Sequence, residues 1–431
     1  MTVDSCTLNL AKNATAAMAV DRAPAVAFLT PAWPVGESAS GIATYTELMS
    51  AALRRMGVPV RVLTQRLAGD CGDGFVRRVG GDGGWMMRLV DSIAGRIWPD
   101  SWWIRRWGRQ IAAAAERLRR EGGLTLLEME ESFGTAAFVA RRTEAAVVVR
   151  LHGPWVVVGR AQGVSEDERF WRRVEAEGEG LKAAAAVTAP SADVLRRVRE
   201  HYGLELKGAA VIPNPAPPVD ERRRWRLEQC ERGRVVFVGR FDRCKGADVL
   251  LDAFAKVLRR RPGAKLTFVG PDGGLMEDGR TWHLEEYARR RLGNGADAVE
   301  NKGRQSLGGV NELRRRGNVV VVCSRYENFP MVAVEAMAMG CPLVATAVGG
   351  LREIVEDGTS GLLCPAEDAE GLAEGMLRVM EDDDLARRLG EGAAAACQSR
   401  FDADVLARRM AEVYGRVVGG VTNPETRSPK E

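Results

Sequence analysis

Short apolar runs alternate with helical patterns along almost the whole chain, and this alternation restricts the fold more than any other feature. The first set is AVAFLT (25–30), VPVRVLT (58–64), LTLLE (124–128), AAVVVRL (145–151), AAVTAPS ending at Ser191, and AAVIPNP (209–215). Helical patterns separate them at 42–56, near 133–142, and from a Ser191 cap to about Tyr202. Runs of this length suit strands buried on both faces, and the intervening helices are the crossovers that parallel strands need. Residues 216–232, APPVDERRRWRLEQCER, break the rhythm with proline and charge and read as an interdomain linker. The alternation then restarts with RVVFVG (234–239), a helix over 246–260, AKLTFVG (264–270), a helix over 282–293, NVVVVCS (318–324), CPLVATA (341–347) and GLLCP. Helices over 369–381, 384–398 and 402–418 complete it. The expected class is α/β, two doubly wound halves in sequence, with a ligand at the carboxyl ends of strands in the cleft between them.

A chain of 431 residues is too long for one core, so two domains are expected, over 24–215 and 233–400. The ends, 1–23 and 420–431, read as disordered. Against 62 basic residues stand 58 acidic ones, and a net charge of +4 is too small to argue for a nucleic-acid partner. Eight scattered cysteines without a C-x-x-C pair point to a reducing, cytosolic setting and no zinc site. Cys323 and Cys341 border apolar runs and read as core thiols. No stretch is apolar enough to span a bilayer, and Asp4 and Lys12 interrupt any leader-like run.

Three constellations carry chemistry. In GRFDRCKGADVLLDAF, Arg240 and Lys245 occupy a strand-to-helix loop and Gly246 opens the helix, an arrangement that suits a doubly charged anion such as a diphosphate. A solvated loop whose cations pair with nearby acids is the plain alternative. In ATAVGGLREIV, Gly349 and Gly350 stand between strand and helix, where a ligand approach or a tight turn would use them equally. In YENFPMVAVEAMAMG (326–340), Pro330 can open a helix that is apolar all round except for Glu335. A charge in such a helix needs a partner, either the hydroxyls of a ligand or a salt bridge to Arg240 or Lys245. Glu327, eight residues earlier, points into a neighbouring part of the same crevice.

These segments, with VTAPSADVLRRVREHYG and VIPNP, resemble glycosyltransferase family 4, the retaining enzymes of GT-B fold, from about Ala23 to Val418. The resemblance implies two Rossmann-like domains facing each other across a cleft, with the last helix, 401–419, crossing back to the first domain. It implies that Arg240 and Lys245 hold the donor diphosphate, that Glu335 binds the nucleotide ribose and that Glu327 binds the transferred sugar. Asn328, Phe329 and Pro330 complete that motif, with Asn328 where the family often has glycine. His152, in VVRLHGPW, matches the histidine that approaches the donor sugar. Gly41, in VGESASGIATYTEL, matches the glycine-rich loop near the donor, with Ser40 in place of the usual first glycine. Gly303, in ENKGRQSLGG, falls where the nucleobase docks, and Gly349 and Gly350 near the phosphates. No metal or other cofactor is implied: the expected partners are a nucleotide-sugar donor, UDP by family frequency, and a glycan or lipid-linked acceptor.

On the residues alone, His152 ends a central strand before Gly153-Pro154, a place suited to a cleft, whereas His201 and His283 read as surface residues. The D-x-D strings at Asp382/Asp384 and Asp402/Asp404 stand at helix starts and read as caps rather than metal ligands. Glu128 and Glu131, in LLEMEESFGTAA, sit at a strand end expected to face the cleft, as contacts for acceptor hydroxyls or as helix caps. The segment over 96–109 interleaves Trp98, Trp102, Trp103 and Trp107 with Arg96, Arg105, Arg106 and Arg109. A helix packing its tryptophans on the domain is the preferred reading; peripheral contact with the inner face of a membrane is the alternative. Rival functions are a sugar-nucleotide epimerase of the same fold, a non-catalytic nucleotide-sugar-binding protein, and a nucleotide-dependent oxidoreductase, the last opposed by the lack of a strand–G-x-G-x-x-G–helix unit.

Overall fold

The structure, a computed structural model, describes residues 24–35, 40–69, 74–80 and 99–420, with side chains in the helix that starts at Pro99 described from residue 104 onward. The ends expected to be disordered, apart from Gly420, lie outside the described residues, as do Arg96 and Trp98.

The first set of apolar runs forms β1 (Val26–Trp33), β2 (Val60–Leu67), β4 (Leu126–Glu130), β5 (Ala146–Arg150), β6 (Ala186–Ala189) and β7 (Ala210–Val211), and a short β3 (Val76–Arg78) not expected from the sequence joins them. They pair in parallel in the order β3-β2-β1-β4-β5-β6-β7, with Val26 of β1 opposite both Val60 and Leu126. The second set forms β8 (Arg234–Val238), β9 (Lys265–Val269), β13 (Val319–Val322), β14 (Leu343–Thr346) and β15 (Leu362–Cys364), and the structure adds a hairpin of β10 (Leu275–Glu277) and β11 (Arg280–Trp282) and a short β12 (Val299–Asn301). Its parallel sheet runs β12-β9-β8-β13-β14-β15. Each order reverses direction once, between β1 and β4 and between β8 and β13, and the crevice at such a reversal is where a sheet of this kind receives a ligand.

Burial explains why these runs are strands and their neighbours helices. All four residues of β13 are buried, as a strand covered on both faces requires. The helix Ala247–Arg260 buries Leu250, Leu251, Phe254 and Val257 on one stripe and turns Arg259 and Arg260 outward. Each such fully buried side chain contributes about 1.5–3 kcal/mol. The helix Glu168–Ala183 carries its stripe as Phe170, Val174 and Leu181, a spacing diluted in the sequence by many charges, and the sequence reading passed over it.

The chain crosses between domains twice. Residues 216–232 are not a free tether: Trp225 is buried, its N–H donates to Met339 O at 2.8 Å and its Nε1 to Gly317 O at 2.6 Å. The last helix, Ala403–Val418, returns to the first domain, where Leu406, Met410, Val413 and Tyr414 join Val26, Phe28, Tyr45 and Leu53 in one core. At the crossings, Ala216 N–H donates to Phe401 O at 2.8 Å.

Among the described residues, side-chain hydrogen bonds join the two domains across the cleft. Asn328 Nδ2 donates to His152 O at 2.6 Å, and Tyr326 Oη donates to Asp193 Oδ2 at 3.1 Å. The two oxygens of Glu353 accept the Ala192 and Asp193 N–H groups, each at 2.8 Å, so a carboxylate of one domain caps a helix of the other.

Candidate active site

The second domain builds its half of the cleft at the β8/β13 reversal. The loop after β8 presses against the end of β13, and Gly246 makes this possible: at its φ of 68° a Cβ would lie 1.9 Å from Cys323 O. That approach delivers Lys245 Nζ to Glu327 Oε1 at 2.5 Å, where Ser324 Oγ also donates at 2.7 Å. Burial pushes the Lys245 pKa down, but Glu327 beside it outweighs burial and the net shift is upward, so the ammonium stays charged. Asp242 braces the loop, accepting from Lys245 N at 2.8 Å and from Arg240 Nε at 2.6 Å. Arg240 is half exposed; burial lowers its pKa and Asp242 raises it by more.

Glu335 lies on the helix Met331–Ala338, which Pro330 caps. Its partner is neither Arg240 nor Lys245 but Arg314, fully buried, whose Nη2 donates to Glu335 Oε2 at 2.7 Å. Arg314 also donates to Asn311 Oδ1 at 3.2 Å, which holds the guanidinium behind the helix. Among the described residues no protein group donates to Glu335 Oε1, so one oxygen remains for a ligand. The Phe329 ring turns away, edge-on to Phe401 at 5.6 Å inside the core, so the side chain expected in the donor motif is a core residue. Gly349 and Gly350 serve close packing: a Cβ on either would stand 2.1 Å from Glu327 O or 2.0 Å from Asn328 O. They pin the backbone that presents both residues, and Gly350 N–H donates to Glu327 O at 2.9 Å. Gly303, at φ 58°, follows β12, and its carbonyl accepts from Gly270 N–H at 2.9 Å.

The first domain contributes Gly41 and His152. Gly41 heads the helix Gly41–Arg55 and faces Met331 of the other domain, a Cβ there lying 3.6 Å from Met331 Cγ. His152 follows β5, its ring edge-on to Tyr45 at 5.1 Å, and burial with the nearby Arg150 charge holds its pKa well below the usual value, so it is neutral.

The two carboxylates expected to face an acceptor do not do so. Glu128 is buried within β4, with Tyr45 Oη donating to one oxygen at 2.7 Å and Tyr414 Oη to the other at 2.6 Å. Glu131 is equally buried and accepts from His152 N at 2.8 Å and Gly153 N at 2.6 Å. Neither caps the helix that follows. Burial, with the charges of Glu177 and Glu130 adding to it, raises Glu131 to a pKa of about 8. Its neighbour Glu177 went unnoticed in the sequence. It accepts from Trp155 N at 2.7 Å, Arg173 Nε at 3.1 Å and Phe133 N at 3.4 Å, and burial raises it to about 7. A carboxylate in register with Phe170, Val174 and Leu181 was the signal that could have found it.

Elsewhere, Asp382 and Asp402 each cap a helix at 2.8 Å, to Leu385 N and Val405 N, and Asp404 pairs with Arg55 at 2.6 Å. His283 is exposed beside Asp272, and His201 stacks on Trp171. Trp107 packs half-buried on the first domain while Arg105 and Arg109 are exposed; the side chains of Trp102 and Trp103 are outside the description. No helix among the described residues is long and apolar enough to cross a membrane.

Two parallel-sheet domains, each with its strand-order reversal, define a GT-B protein, and solved structures share the whole arrangement. Sucrose-phosphate synthase from Thermosynechococcus elongatus superposes with a TM-score of 0.67 at 21% identity, over 92% of this chain and 100% of that one. Anabaena HepE, solved in complex with UDP-glucose, gives 0.63 at 18% identity, over 90% and 98%. In sequence, residues 39–219 match the profile described as Glycosyltransferase Family 4 and residues 220–396 that of Glycosyl transferases group 1. The chain belongs to this family of glycosyltransferases. Among curated relatives, the D-inositol 3-phosphate glycosyltransferase of Salinispora arenicola is 34% identical over 269 residues, 61% of this chain and 58% of the relative. The glycogen synthase of Mycobacterium tuberculosis is 30% identical over 243 residues, 56% of each. The chain thus spans a little over half the length of these relatives.

Proposed function

We propose that this protein transfers a sugar from a nucleotide diphosphate donor, a UDP-sugar first among them, to a hydroxyl of a glycan or lipid-linked acceptor, with retention at the anomeric carbon. One observation carries the reading: Lys245 pairs with Glu327 at the β8/β13 reversal with Arg240 beside them, and Glu335 stands on the helix that follows, opposite Gly41 and His152. Lys245 and Arg240 take the diphosphate, and their fixed charge stabilises the leaving group as its negative charge grows. The N–H groups at the start of the helix Met331–Ala338 add to that field. Glu335 Oε1 accepts from ribose hydroxyls while Arg314 holds Oε2. Glu327 accepts from sugar hydroxyls once Lys245 turns to phosphate. His152, neutral, meets the sugar as a hydrogen-bonding group rather than a cation. Retention rests on the family resemblance, and UDP on the resemblance together with HepE, whose structures hold UDP and UDP-glucose. The cation pair and the helix N-terminus supply positive charge of the kind a metal would otherwise bring, so we assign no cofactor. A cytosolic site of action follows from the thiol pattern, and contact of the helix starting at Pro99 with a membrane is the subordinate reading for a lipid-linked acceptor.

The test is a thermal shift with UDP, GDP, ADP and dTDP in EDTA, since a ligand that binds the folded state raises apparent stability by mass action. A rise with one nucleotide, absent in Glu335→Ala, supports the reading. No rise with any of the four rejects it.

A further inference from the structure

The turn that carries His152 is held from beneath by carboxylates. Leu151 N–H still belongs to the sheet, donating to Thr188 O at 2.8 Å. Beyond it, each backbone N–H up to Trp155 ends on a glutamate, Pro154 having none to offer. His152 N–H and Gly153 N–H donate to the two oxygens of Glu131, at 2.8 and 2.6 Å, and Trp155 N–H donates to Glu177 Oε2 at 2.7 Å. Glu177 Oε1 reaches the loop after β4 as well, accepting from Phe133 N–H at 3.4 Å. Gly134 lets the Glu177 helix come this close: at its φ of 66° a Cβ would lie 2.3 Å from Ala176 Cβ.

Glu131 can hold the turn only as a carboxylate. Each of its oxygens faces a backbone N–H, so a proton on either oxygen, or an amide nitrogen in its place, sets donor against donor. One bond of the pair is then lost, and the turn is released at His152 or at Gly153. Yet the surroundings disfavour the charge. Among the described residues, Glu177 and Glu130 face Glu131, and the cation of the group is Arg173. Arg173 is engaged by Glu177 Oε1 at 3.1 Å and clamped between the rings of Phe133 and Trp155, at 4.1 and 3.7 Å. Tyr202 faces both acids, but its hydroxyl donates to Val174 O at 2.8 Å, and His152 is neutral. Burial first, then the charges of Glu177 and Glu130, raise Glu131 to about 8, and burial raises Glu177 to about 7. Glu131 therefore gives up its proton a little above neutral pH, and its grip on His152 is complete only when it has done so.

We propose that ionised Glu131 is the positioning residue that sets His152 against the transferred sugar, and that a proton on Glu131 slackens the turn and slows the reaction. The inference rests on the donor reading, in which His152 meets that sugar. Glu131 touches neither substrate; it acts through the backbone of a residue that does. His152 is fixed at both ends of its backbone, its N–H by Glu131 and its C=O by the second domain at 2.6 Å, so a slip at one end moves the ring. Arg240, Lys245 and Glu335 stand on the other domain, so nucleotide binding and turnover of the sugar respond separately.

The experiment compares wild type with Glu131→Gln across neutral and mildly alkaline pH, with melting curves to check folding. Calorimetry with UDP, GDP, ADP and dTDP finds the nucleotide, and hydrolysis of its glucose, N-acetylglucosamine and mannose conjugates gives kcat and KM. The ionised fraction of a group falls tenfold per unit below its pKa, so wild-type kcat should rise about tenfold from about pH 7 to about pH 9. Glu131→Gln should be flat over that range and stay about tenfold below wild type at its upper end, with nucleotide affinity within about twofold. In amide NMR spectra of the whole chain, the His152 and Gly153 signals should shift with a midpoint of about 8 in wild type and stay in place in Glu131→Gln. A flat wild-type profile, a variant that keeps the wild-type rise, or nucleotide affinity lost along with turnover overturns the positioning role. So do wild-type amide signals that ignore pH. If Glu131→Gln does not fold, the wild-type profile and its amide titration decide by the same criteria. A wild type that binds none of the four nucleotides overturns the donor reading and this inference with it, whatever the amides do.

Discussion

In the second domain Glu327 and Glu335 each hold one cation, Lys245 and Arg314, and keep 11% and 14% of their side chains open to the cleft. In the first domain Glu128, Glu131 and Glu177 are 2%, 1% and 1% exposed, and between them hold tyrosine hydroxyls, backbone N–H groups and Arg173. One domain leaves part of each carboxylate exposed; the other uses its carboxylates to tie its own elements together. On the proposed function, the donor half is a charged surface made in advance and the acceptor half a set of loops shaped from beneath. Carboxylates that look alike in sequence do different work according to how much of them the fold leaves exposed and which donors meet them.

Four measurements would break or sharpen this contrast. Arg314→Ala leaves Glu335 without its cation in a mostly buried position, and removing one member of a buried pair costs about 3–5 kcal/mol. Urea unfolding should show that loss, and a change below about 1 kcal/mol would mean that Glu335 does not depend on Arg314. Lys245→Ala removes a fixed cation from the diphosphate position and should lower kcat for sugar transfer or donor hydrolysis by about 10²–10³-fold. Unchanged turnover would remove the donor half from the comparison.

The third uses acidity, because the two domains should respond with opposite slopes. Glu131 and Glu177 have folded pKa values of about 8 and 7 against 4.5 when unperturbed, so between those limits the folded state keeps protons that the unfolded state has released. Stability from this source falls as pH rises from about 4.5 to 8, and Glu131→Gln should make that fall shallower. Glu300, on β12, is lowered to about 2 by its hydrogen bonds from Arg234, so its stabilisation is present above 4.5 and is lost as pH falls towards 2. Glu300→Gln should flatten the acid limb alone. Melting temperature followed from pH 2 to 9 tests both, and a single slope of one sign would contradict the contrast. The smallest effects are expected at the caps. Asp382→Ala and Asp402→Ala should each cost about 1 kcal/mol with catalysis unaltered, whichever domain their helix packs on.

The donor half was more legible than the acceptor half for a physical reason. Arg240, Lys245, Glu327 and Glu335 lie within two short stretches whose spacing follows from one strand end and one helix. Arg314 could not be chosen from Arg314-Arg315-Arg316, since only packing decides which of three successive arginines is buried. Glu128 read as a cleft residue because its partners, Tyr45 and Tyr414, stand 83 and 286 residues away. The long central strands were easy to see, with edges displaced by a few residues, but the three-residue strands β3, β10, β11 and β12 are too short to show a pattern and were not read. The helix Glu168–Ala183 was hidden because Glu177 occupies a place where the pattern calls for an apolar residue.

The return of the last helix has a consequence for how the molecule is made. Leu406, Met410 and Tyr414 complete a core begun by Val26 and Phe28, so the domain that leaves the ribosome first is the one finished last. Until the final turns emerge, Glu128 lacks one of its two hydroxyl partners and the β1–β4 face lacks its cover. The second domain, whose core is contained between Trp225 and Phe401, has no such wait. In topological terms it is an insert in a discontinuous first domain. A chain cut just before Asp402 would keep the residues of the donor side and lose the closure of the other.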